Sequence, residues 1–255
     1  MIHSFLLIGQ SNAAGRGFLS EAEPLDVCGG SLKVLRNGRW QVMFRPVNPD
    51  RAFSGSSFAE SFAKEYRIAN PEVEVGIIPC ADGGTEISQW LPGELLFDNA
   101  VSCAKLAKRT SRLKGILWHQ GEGDCSEEKC ALYAERFKAV MDGIRAELSL
   151  PDVPIIIGGL GDFLASYTPS PNVMQYYKQI NGVLESLGST YPKCAFASAN
   201  GLGSNPDNLH FSAAALKEFG VRYFDAFQSI DAVSGDGIAE MALEIDTARS
   251  AMELL

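Results

Sequence analysis

Short apolar segments alternate with longer amphipathic segments along the 255 residues of the chain, and this alternation constrains the fold more than any other feature. Short runs rich in β-branched residues and bounded by glycine, proline or other turn residues are typical of buried strands. Segments with apolar residues three or four positions apart are typical of helices that pack on a core. When strands and helices alternate, right-handed crossovers lay helices on both faces of a parallel sheet. The sequence therefore predicts a three-layer α/β/α sandwich.

The predicted strands and helices follow one another through most of the chain. Strands are predicted at residues 2–9, 73–79, 115–119, 153–158 and 194–197, and helices at residues 56–69, 95–109, 127–148, 173–187 and 212–227. For residues 20–50 the sequence predicts an irregular insertion beside a ligand pocket. For residues 237–255 it predicts one more amphipathic helix, which packs either on the rest of the domain or on a second subunit. No linker divides the chain, so residues 1–255 are predicted to form a single domain.

The first predicted strand ends in Gly9-Gln10-Ser11-Asn12, so Ser11 lies just beyond the carboxyl end of a strand. Ligands bind at that edge of open α/β sheets, because the loops there converge on a crevice. A serine hydroxyl is a poor nucleophile until a base removes its proton. Ser11 is therefore a candidate nucleophile that requires a base from elsewhere in the chain.

The base is sought among the 3 histidines of the chain. His3 lies inside the first strand, which leaves His119 and His210. His210 follows Asp207 by three positions after a turn-like segment, so one loop can present both side chains. A carboxylate on the far nitrogen of an imidazole fixes its tautomer and stabilises the charged form. Asp207 could instead be a helix or turn cap, and His210 a polar loop residue.

Two further segments supply candidate donors for an oxyanion. Gln120 lies at the polar end of the third predicted strand, where its side-chain amide could donate. Gly83 and Gly84 follow the second predicted strand, and a glycine lets a backbone N–H approach a ligand closely. Rigid donors of this kind are usually the largest single contribution to catalysis of acyl transfer. The predicted oxyanion hole comprises the N–H of Ser11, the amide of Gln120 and the N–H of Gly84. Gly83 is the alternative, and each glycine could also be part of an ordinary turn.

Four short motifs, in this order along most of the chain, resemble the successive blocks of the SGNH hydrolase superfamily. They are Gly9-Gln10-Ser11-Asn12, Gly83-Gly84-Thr85, Trp118-His119-Gln120-Gly121-Glu122 and Asp207-Asn208-Leu209-His210. More narrowly, they resemble the sialate O-acetylesterase and acetylxylan esterase branch of that superfamily. In this branch a glutamine, here Gln120, stands where other members have an asparagine.

The resemblance implies a flavodoxin-like sheet of five parallel strands in the order 2-1-3-4-5. It also implies Ser11 as the nucleophile, His210 as the general base and Asp207 as its acidic partner, with the oxyanion held by the three donors named above. Glu122 lies in a block that supplies the acidic residue in some relatives, so both carboxylates stay candidates. Asp207 is preferred because its spacing to His210 makes their contact local.

Further side chains near the motifs are candidates for substrate contacts: Gln10, Asn12, Arg16, Trp90 and His119. Trp90 could offer a flat apolar face to a sugar ring, and a core tryptophan is the alternative. His119 either lines the pocket or is a satisfied loop histidine. An anionic sugar would need nearby cations, and the nearest to the motifs are Arg16, Arg45 and Arg51.

The activity expected from these residues is that of a serine esterase that removes acetyl groups from a carbohydrate through an acyl-enzyme on Ser11. Acetylated xylan or xylo-oligosaccharides and O-acetylated sialic acid are the two candidate substrates. A short-chain lipase or thioesterase of the same fold would need an apolar acyl channel. A catalytically inactive glycan-binding module would be expected to lack one member of the triad.

Composition narrows the partners and the compartment. The net charge of -9 argues against nucleic acid, whose phosphates it would repel. No apolar run reaches the roughly 18 residues that span a membrane, so no membrane partner is expected. The first strand lacks the basic start and cleavage site of a secretory signal, which predicts a cytoplasmic protein with its 6 cysteines reduced.

Neither a metal nor another cofactor is expected. Cys125 and Cys130 lack a neighbouring Cys or His pair at zinc-site spacing. The segment Gly201-Leu202-Gly203 follows a strand but lacks the third glycine of a dinucleotide-binding fingerprint. The oligomeric state stays open at this level.

Overall fold

The computed structural model describes residues 1–167 and 174–233 of the chain. In this part of the chain one sheet contains seven strands in the order β3-β2-β4-β1-β5-β6-β7. The strands are β1 (Ile2–Gly9), β2 (Leu32–Arg36), β3 (Arg39–Val42), β4 (Glu74–Pro79), β5 (Ser111–His119), β6 (Ile155–Gly158) and β7 (Cys194–Ala197). All neighbouring strands are parallel except β2 and β3. The five predicted strands are β4-β1-β5-β6-β7, so their predicted order is confirmed.

The helices lie between the strands along the chain, as the alternation predicts. They are α1 (Ser11–Ala14), α2 (Phe58–Ala69), α3 (Leu95–Ala107), α4 (Glu127–Leu148), α5 (Tyr177–Thr190) and α6 (Ala213–Val233). The predicted helices correspond to α2 to α6, with some ends displaced by a few residues. The helix predicted at residues 237–255 lies outside the described residues. Among those that are described, no helix is long and apolar enough to cross a membrane.

The prediction that residues 20–50 are irregular was wrong for β2 and β3. These strands form a hairpin joined by Asn37 and Gly38, whose φ angles of 48° and 74° suit a tight two-residue turn. β2 then pairs with β4 and extends the sheet by two strands. An Asn-Gly pair between two short β-rich runs was the available signal. Since β3 is largely exposed, its apolar pattern was too weak to indicate a buried strand.

Both faces of the sheet are covered, which confirms the three-layer architecture. Alternate residues of β1 point to opposite faces, as they do in any strand. Leu6 and Ile8 contribute to one core, together with buried residues of α3, α4 and α5. Phe5 and Leu7 contribute to the other core, together with α2 and α6. That a single domain extends over residues 1–255 stays a prediction.

The end of β1 fixes where the chain leaves the sheet. Gly9 has a φ of 122°, a conformation that side chains rarely adopt. A Cβ at Gly9 would lie 2.0 Å from the carbonyl oxygen of His119 on the neighbouring strand. The next residue, Gln10, donates its N–H to that same carbonyl over 2.9 Å. This tight junction turns the chain into α1 and places Ser11 at the first position of that helix.

Replacing Gly9 by alanine is expected to lower the free energy of unfolding by about 2 to 5 kcal/mol, because the backbone must shift and a left-handed conformation becomes strained. Gly182 is the matched control. It lies on the exposed face of α5, and a Cβ there would meet nothing within 4 Å. Gly182→Ala should raise the free energy of unfolding by about 0.5 to 1 kcal/mol. Urea unfolding followed by circular dichroism measures both, and equal stability of Gly9→Ala and the wild type would refute the argument.

Candidate active site

The predicted serine, histidine and aspartate lie in one hydrogen-bonded row. His210 Nε2 lies 3.0 Å from Ser11 Oγ, although the two residues are far apart in sequence. His210 Nδ1 lies 2.7 Å from Asp207 Oδ2. With Nδ1 facing a carboxylate, Nε2 is the nitrogen that can accept the hydroxyl proton of the serine.

The loop that carries His210 is shaped by its own aspartate. Asp207 Oδ1 accepts the N–H groups of Leu209 and His210 over 2.9 and 3.0 Å, which closes an Asx-type turn. Burial raises the pKa of Asp207, but those two N–H groups and the imidazole outweigh it and hold the pKa below its usual value. The carboxylate of Asp207 is therefore ionised. One of its oxygens binds the backbone of the loop, and the other binds the imidazole of His210.

Glu122, the alternative acidic residue, makes different contacts. It lies in a short 3-10 turn after β5 (Glu122–Asp124) and is buried. Its Oε1 accepts the side-chain amide of Asn12 over 2.6 Å and lies 3.1 Å from His119 Nε2. Burial raises the pKa of Glu122, yet His119 and Asn12 together lower it below the usual value. The carboxylate in contact with His210 is therefore that of Asp207.

Asn12 binds the loop that carries His210. It was predicted to contact the substrate, and the structure corrects that prediction. The side chain is buried and only 1% of the residue is exposed. Its Nδ2 also donates to the carbonyl of Leu209 over 3.1 Å, and its Oδ1 accepts the N–H of Phe211 over 3.1 Å. Since these residues flank His210 on both sides, Asn12 fixes the position of the imidazole relative to Ser11, its own neighbour in sequence.

Two backbone N–H groups are available beside the serine. Ser11 begins α1, where the first N–H groups have no acceptor within the helix. Gly84 has a φ of 80°, and a Cβ there would meet nothing within 4 Å, so it faces open space. The N–H of Gly83 is already donated to Asp50 over 2.8 Å. Of the two glycines, Gly84 is therefore the one whose N–H can serve a ligand.

Gln120 is not placed as predicted. The residue is fully buried, and its Nε2 lies 2.6 Å from Asp124 Oδ2, 3.0 Å from the carbonyl of Thr85 and 3.2 Å from Gln10 Oε1. These acceptors use the protons of the amide, so Gln120 has no donor left for an oxyanion. Gln10 Oε1 also accepts the N–H of Gly123 over 3.1 Å. Gln120 thus supports Gln10, and it is Gln10 that lines the pocket.

Trp90 and His119, both predicted as substrate contacts, are core residues with no exposed surface. The indole Nε1 of Trp90 donates to Thr85 Oγ1 over 3.1 Å, and its ring packs edge-on against that of Trp118. His119 packs against Phe211 and other aromatic rings on the opposite face of the sheet. Both assignments were wrong because the ring of Trp90 is buried in one hydrophobic core and that of His119 is buried among the aromatic rings of the other.

A pocket of about 600 Å³ opens above the serine and the histidine. Its wall contains Gln10, Ser11, Arg16, Arg51, Phe53, Gly83, Gly84, Glu122, Gly123, Cys125, Ser126, Lys129, Met174, Leu209 and His210. Phe53 is 71% exposed and was not predicted from the sequence. Its only sequence signal is an aromatic residue within a loop of small and polar residues. No cluster of side chains able to hold a metal ion occurs among residues 1–167 and 174–233.

Within the described part of the chain, each cation on the pocket wall is paired with a carboxylate. Arg16 forms a buried bidentate pair with Asp50, at 3.0 and 2.7 Å. Two further pairs lie at the rim, and in each the nitrogen and oxygen are 2.7 Å apart: Arg51 with Asp82 and Lys129 with Glu86. Arg45, the remaining cation considered from the sequence, pairs with Glu60 away from the pocket wall.

The sequence and the structure of this chain were compared with those of known proteins. The sequence model of the family described as carbohydrate esterase, sialic acid-specific acetylesterase, matches residues 1–229. A probable carbohydrate esterase of Arabidopsis thaliana is 26% identical over 249 residues, covering 88% of this chain and 90% of that protein. An X-ray structure of an Arabidopsis thaliana protein is 25% identical, with a TM-score of 0.78 over 89% of this chain and 98% of the other.

Two more distant structures share the fold. The crystal structure of NanS has a TM-score of 0.69 at 18% identity, covering 89% of this chain and 97% of the other. A carbohydrate acetylesterase from Xanthomonas citri has a TM-score of 0.62 at 19% identity, covering 89% of this chain and 56% of the other. Because the family match extends over residues 1–229, the chain belongs to the carbohydrate esterase, sialic acid-specific acetylesterase family and is a carboxylic ester hydrolase with the SGNH-type fold.

Proposed function

We propose that this protein removes O-acetyl groups from a neutral carbohydrate through an acyl-enzyme on Ser11. The observation that carries the proposal is the row of Ser11, His210 and Asp207, which opens onto a pocket beside the N–H of Gly84. The histidine is within reach of the serine proton, the aspartate orients the histidine, and backbone donors lie next to the serine. These are the parts that acyl transfer to a serine requires.

The reaction proceeds in two halves. As Ser11 Oγ attacks the acetyl carbon, His210 Nε2 takes its proton, and the carbonyl oxygen becomes an oxyanion that accepts hydrogen bonds from the N–H groups of Ser11 and Gly84. When the carbon–oxygen bond to the sugar breaks, His210 returns the proton to the sugar oxygen. A water molecule deprotonated by His210 then attacks the acyl-enzyme, and acetate leaves as Ser11 regains its proton.

The paired charges around the pocket favour a neutral sugar. A carboxylate on the substrate would need a cation with a free donor or an excess of positive charge. Arg16 is paired with Asp50, and the pairs at the rim each bring one negative charge for each positive one. Breaking a buried pair to accommodate a substrate carboxylate would leave Asp50 unpaired, which is strongly unfavourable. Acetylated xylo-oligosaccharides therefore suit the pocket better than acetylated sialosides.

Phe53 is proposed as the residue that contacts the sugar ring. Its exposed face lies on the pocket wall, and the guanidinium of Arg16 lies 5.2 Å from the centre of its ring. An exposed aromatic face can cover the apolar face of a sugar with little loss of side-chain freedom. This role replaces the one that the sequence suggested for Trp90.

Ser11→Ala is expected to reduce kcat for acetate release by roughly 10⁴-fold or more, since the nucleophile is lost. Asp207→Asn should cost roughly 10³- to 10⁴-fold, because the imidazole loses the partner that fixes its tautomer. Glu122→Gln should cost less than roughly tenfold, since Glu122 acts on Asn12 and not on His210. Steady-state kinetics on an aryl acetate give all three values. A larger loss for Glu122→Gln than for Asp207→Asn would reverse the assignment of the acidic residue.

Phe53→Ala is expected to lower kcat/KM on an acetylated xylo-oligosaccharide by roughly tenfold and to leave an aryl acetate within about twofold, because only the sugar needs the platform. Phe44→Ala is the matched control. Phe44 is also an exposed phenylalanine with an arginine over its ring, Arg36 at 5.4 Å, but it is not part of the pocket wall. An equal loss on both substrates, or an equal loss in the Phe44 variant, would contradict this role.

A substrate panel tests the choice of sugar. Acetate release should be faster, in kcat/KM, from neutral acetylated xylo-oligosaccharides than from O-acetylated sialosides at equal acetyl concentration. The reason is that each cation on the described pocket wall already pairs with a carboxylate, so the wall has no excess of positive charge to attract a sialate carboxylate. If sialosides react roughly tenfold faster than the neutral sugars, or if added salt strongly weakens binding of the sialosides, the pocket binds the carboxylate and the proposal of a neutral substrate fails.

A further inference from the structure

Residues 48–51 lie against residues 81–83, the loop that leads from β4 to Gly84. Asn48 Oδ1 accepts the N–H of Ala81 over 2.9 Å, and Asn48 Nδ2 donates to the carbonyl of Ala81 over 2.9 Å. One buried side-chain amide thus binds both backbone groups of a single residue, as a neighbouring strand would. Residues 48–51, at the end of the predicted irregular insertion, therefore hold the loop of residues 81–83 in place.

The remaining backbone groups of the loop also have partners. Asp50 Oδ2 accepts the N–H of Gly83 over 2.8 Å, and Arg51 Nη2 donates to the carbonyl of Gly83 over 2.9 Å. The N–H of Asp82 donates to Gly9 over 2.9 Å, and its carbonyl accepts the hydroxyl of Thr85 over 2.8 Å. With every backbone donor and acceptor of residues 81–83 satisfied, the loop has one well-defined conformation. The next N–H along the chain is that of Gly84, at the pocket.

Among residues 48–51, the side chain of Asp50 is itself fixed by hydrogen bonds from Arg16 and Ser54. Its carboxylate and the guanidinium of Arg16 are both about 95% buried and form two parallel hydrogen bonds. Ser54 Oγ donates a further bond of 2.8 Å to Asp50 Oδ1. Fixed in this way on both oxygens, the carboxylate can present Oδ2 to Gly83 without rearrangement. Bidentate pairs of this type add geometric specificity as well as energy.

The pair of Asp50 and Arg16 lies directly against the nucleophile. A Cβ added to Gly83 would lie 2.5 Å from Arg16 Nη2, 2.9 Å from Asp50 Oδ2 and 3.4 Å from Ser11 Cβ. Gly83 is therefore needed for close approach, and it fills the space between the ion pair and the serine. A shift of the ion pair would move the peptide that carries the N–H of Gly84.

We infer that Asp50, held by Arg16, is a positioning residue that fixes the Gly84 N–H where the oxyanion forms. Asp50 does not touch the substrate in this mechanism. Its effect comes from pre-organisation, since a donor already aimed at the oxyanion need not reorganise as negative charge develops. The inference rests on the proposed function in its use of Ser11 as nucleophile and of the Gly84 N–H as oxyanion donor, and it holds for any acetyl ester whatever its alcohol.

The test compares Asp50→Ala with Glu60→Ala, using an aryl acetate as the substrate. Glu60 is the matched control, because it forms the other largely buried arginine pair of this region, with Arg45 at 2.8 Å, and is not part of the pocket wall. Asp50→Ala should lower kcat by roughly 10²-fold with KM within about threefold, as expected for loss of one oxyanion donor. Glu60→Ala should lose thermal stability and keep kcat within about threefold.

Further measurements separate positioning from a general structural effect. Inhibition by methylboronic acid, which forms a tetrahedral adduct on the serine, should weaken by a factor similar to the loss in kcat. Asp50→Asn keeps an oxygen acceptor for Gly83 and should recover roughly tenfold of the activity lost in Asp50→Ala.

Several results would overturn the inference. They are a folded Asp50→Ala with kcat within about threefold of the wild type, a rise in KM alone, or an equal loss of kcat in Glu60→Ala. If Asp50→Ala does not fold, Asn48→Ala removes the adjacent contact with Ala81 and must show the same loss in kcat without a change in KM. If Ser11→Ala cleaves the aryl acetate as fast as the wild type, the proposed function itself fails. If Ser11→Ala is inactive while Asp50→Ala is fully active, only the role of Asp50 is refuted.

Discussion

The junction between β1 and β5 is the constraint on which the rest of the site depends. The two strands are parallel neighbours, and their register pairs Gly9 with His119, so both chains leave the sheet side by side. The absence of a side chain at Gly9 lets Gln10 bond to the carbonyl of His119. Because parallel strands end at one edge, the loops that follow them meet there. The junction places Ser11 and Asn12 at this edge, and the contacts of Asn12 with Leu209 and Phe211 bring His210 to the serine.

Most of the polar residues at this edge support other residues. Asn12 links Glu122 to the histidine loop, and Gln120 holds Gln10 through a buried amide contact. Asp124, which accepts from Gln120, has its pKa raised by burial, whereas the contacts of Glu122 lower its pKa. Two carboxylates in one short turn thus differ because only Glu122 faces both an imidazole and an amide. Buried hydrogen bonds of this kind favour one arrangement of the core, although Gln120 Oε1, Glu122 Oε2 and Asp124 Oδ1 have no hydrogen-bond partner in the described part of the chain.

The sequence predicts those features that depend on local pattern. The five central strands are apolar and continuous because they are buried on both faces, and Asp207 can be paired with His210 because their contact is local. Burial depends on which segments cover a side chain, so Trp90, in the 3-10 turn Ile87–Trp90, and His119, at the end of the correctly predicted β5, were both misplaced. Gln120 was misplaced for the same reason. Asp50 and Phe53 act through contacts with distant segments, and no periodicity along the chain records such contacts.

The charges around the pocket connect the fold to the choice of substrate. Arg16, Arg51 and Lys129 each form an ion pair with a carboxylate. The positive charge of these three side chains is therefore neutralised at short range. Beyond about 10 Å, salt screens what remains. The net charge of -9 acts in the same direction, since it repels anionic substrates at longer range and low ionic strength. Arg16 then has a structural role, because it keeps Asp50 ionised and fixed beside Gly83. A cation at the pocket wall thus shapes the backbone around the serine without being free to bind an anion.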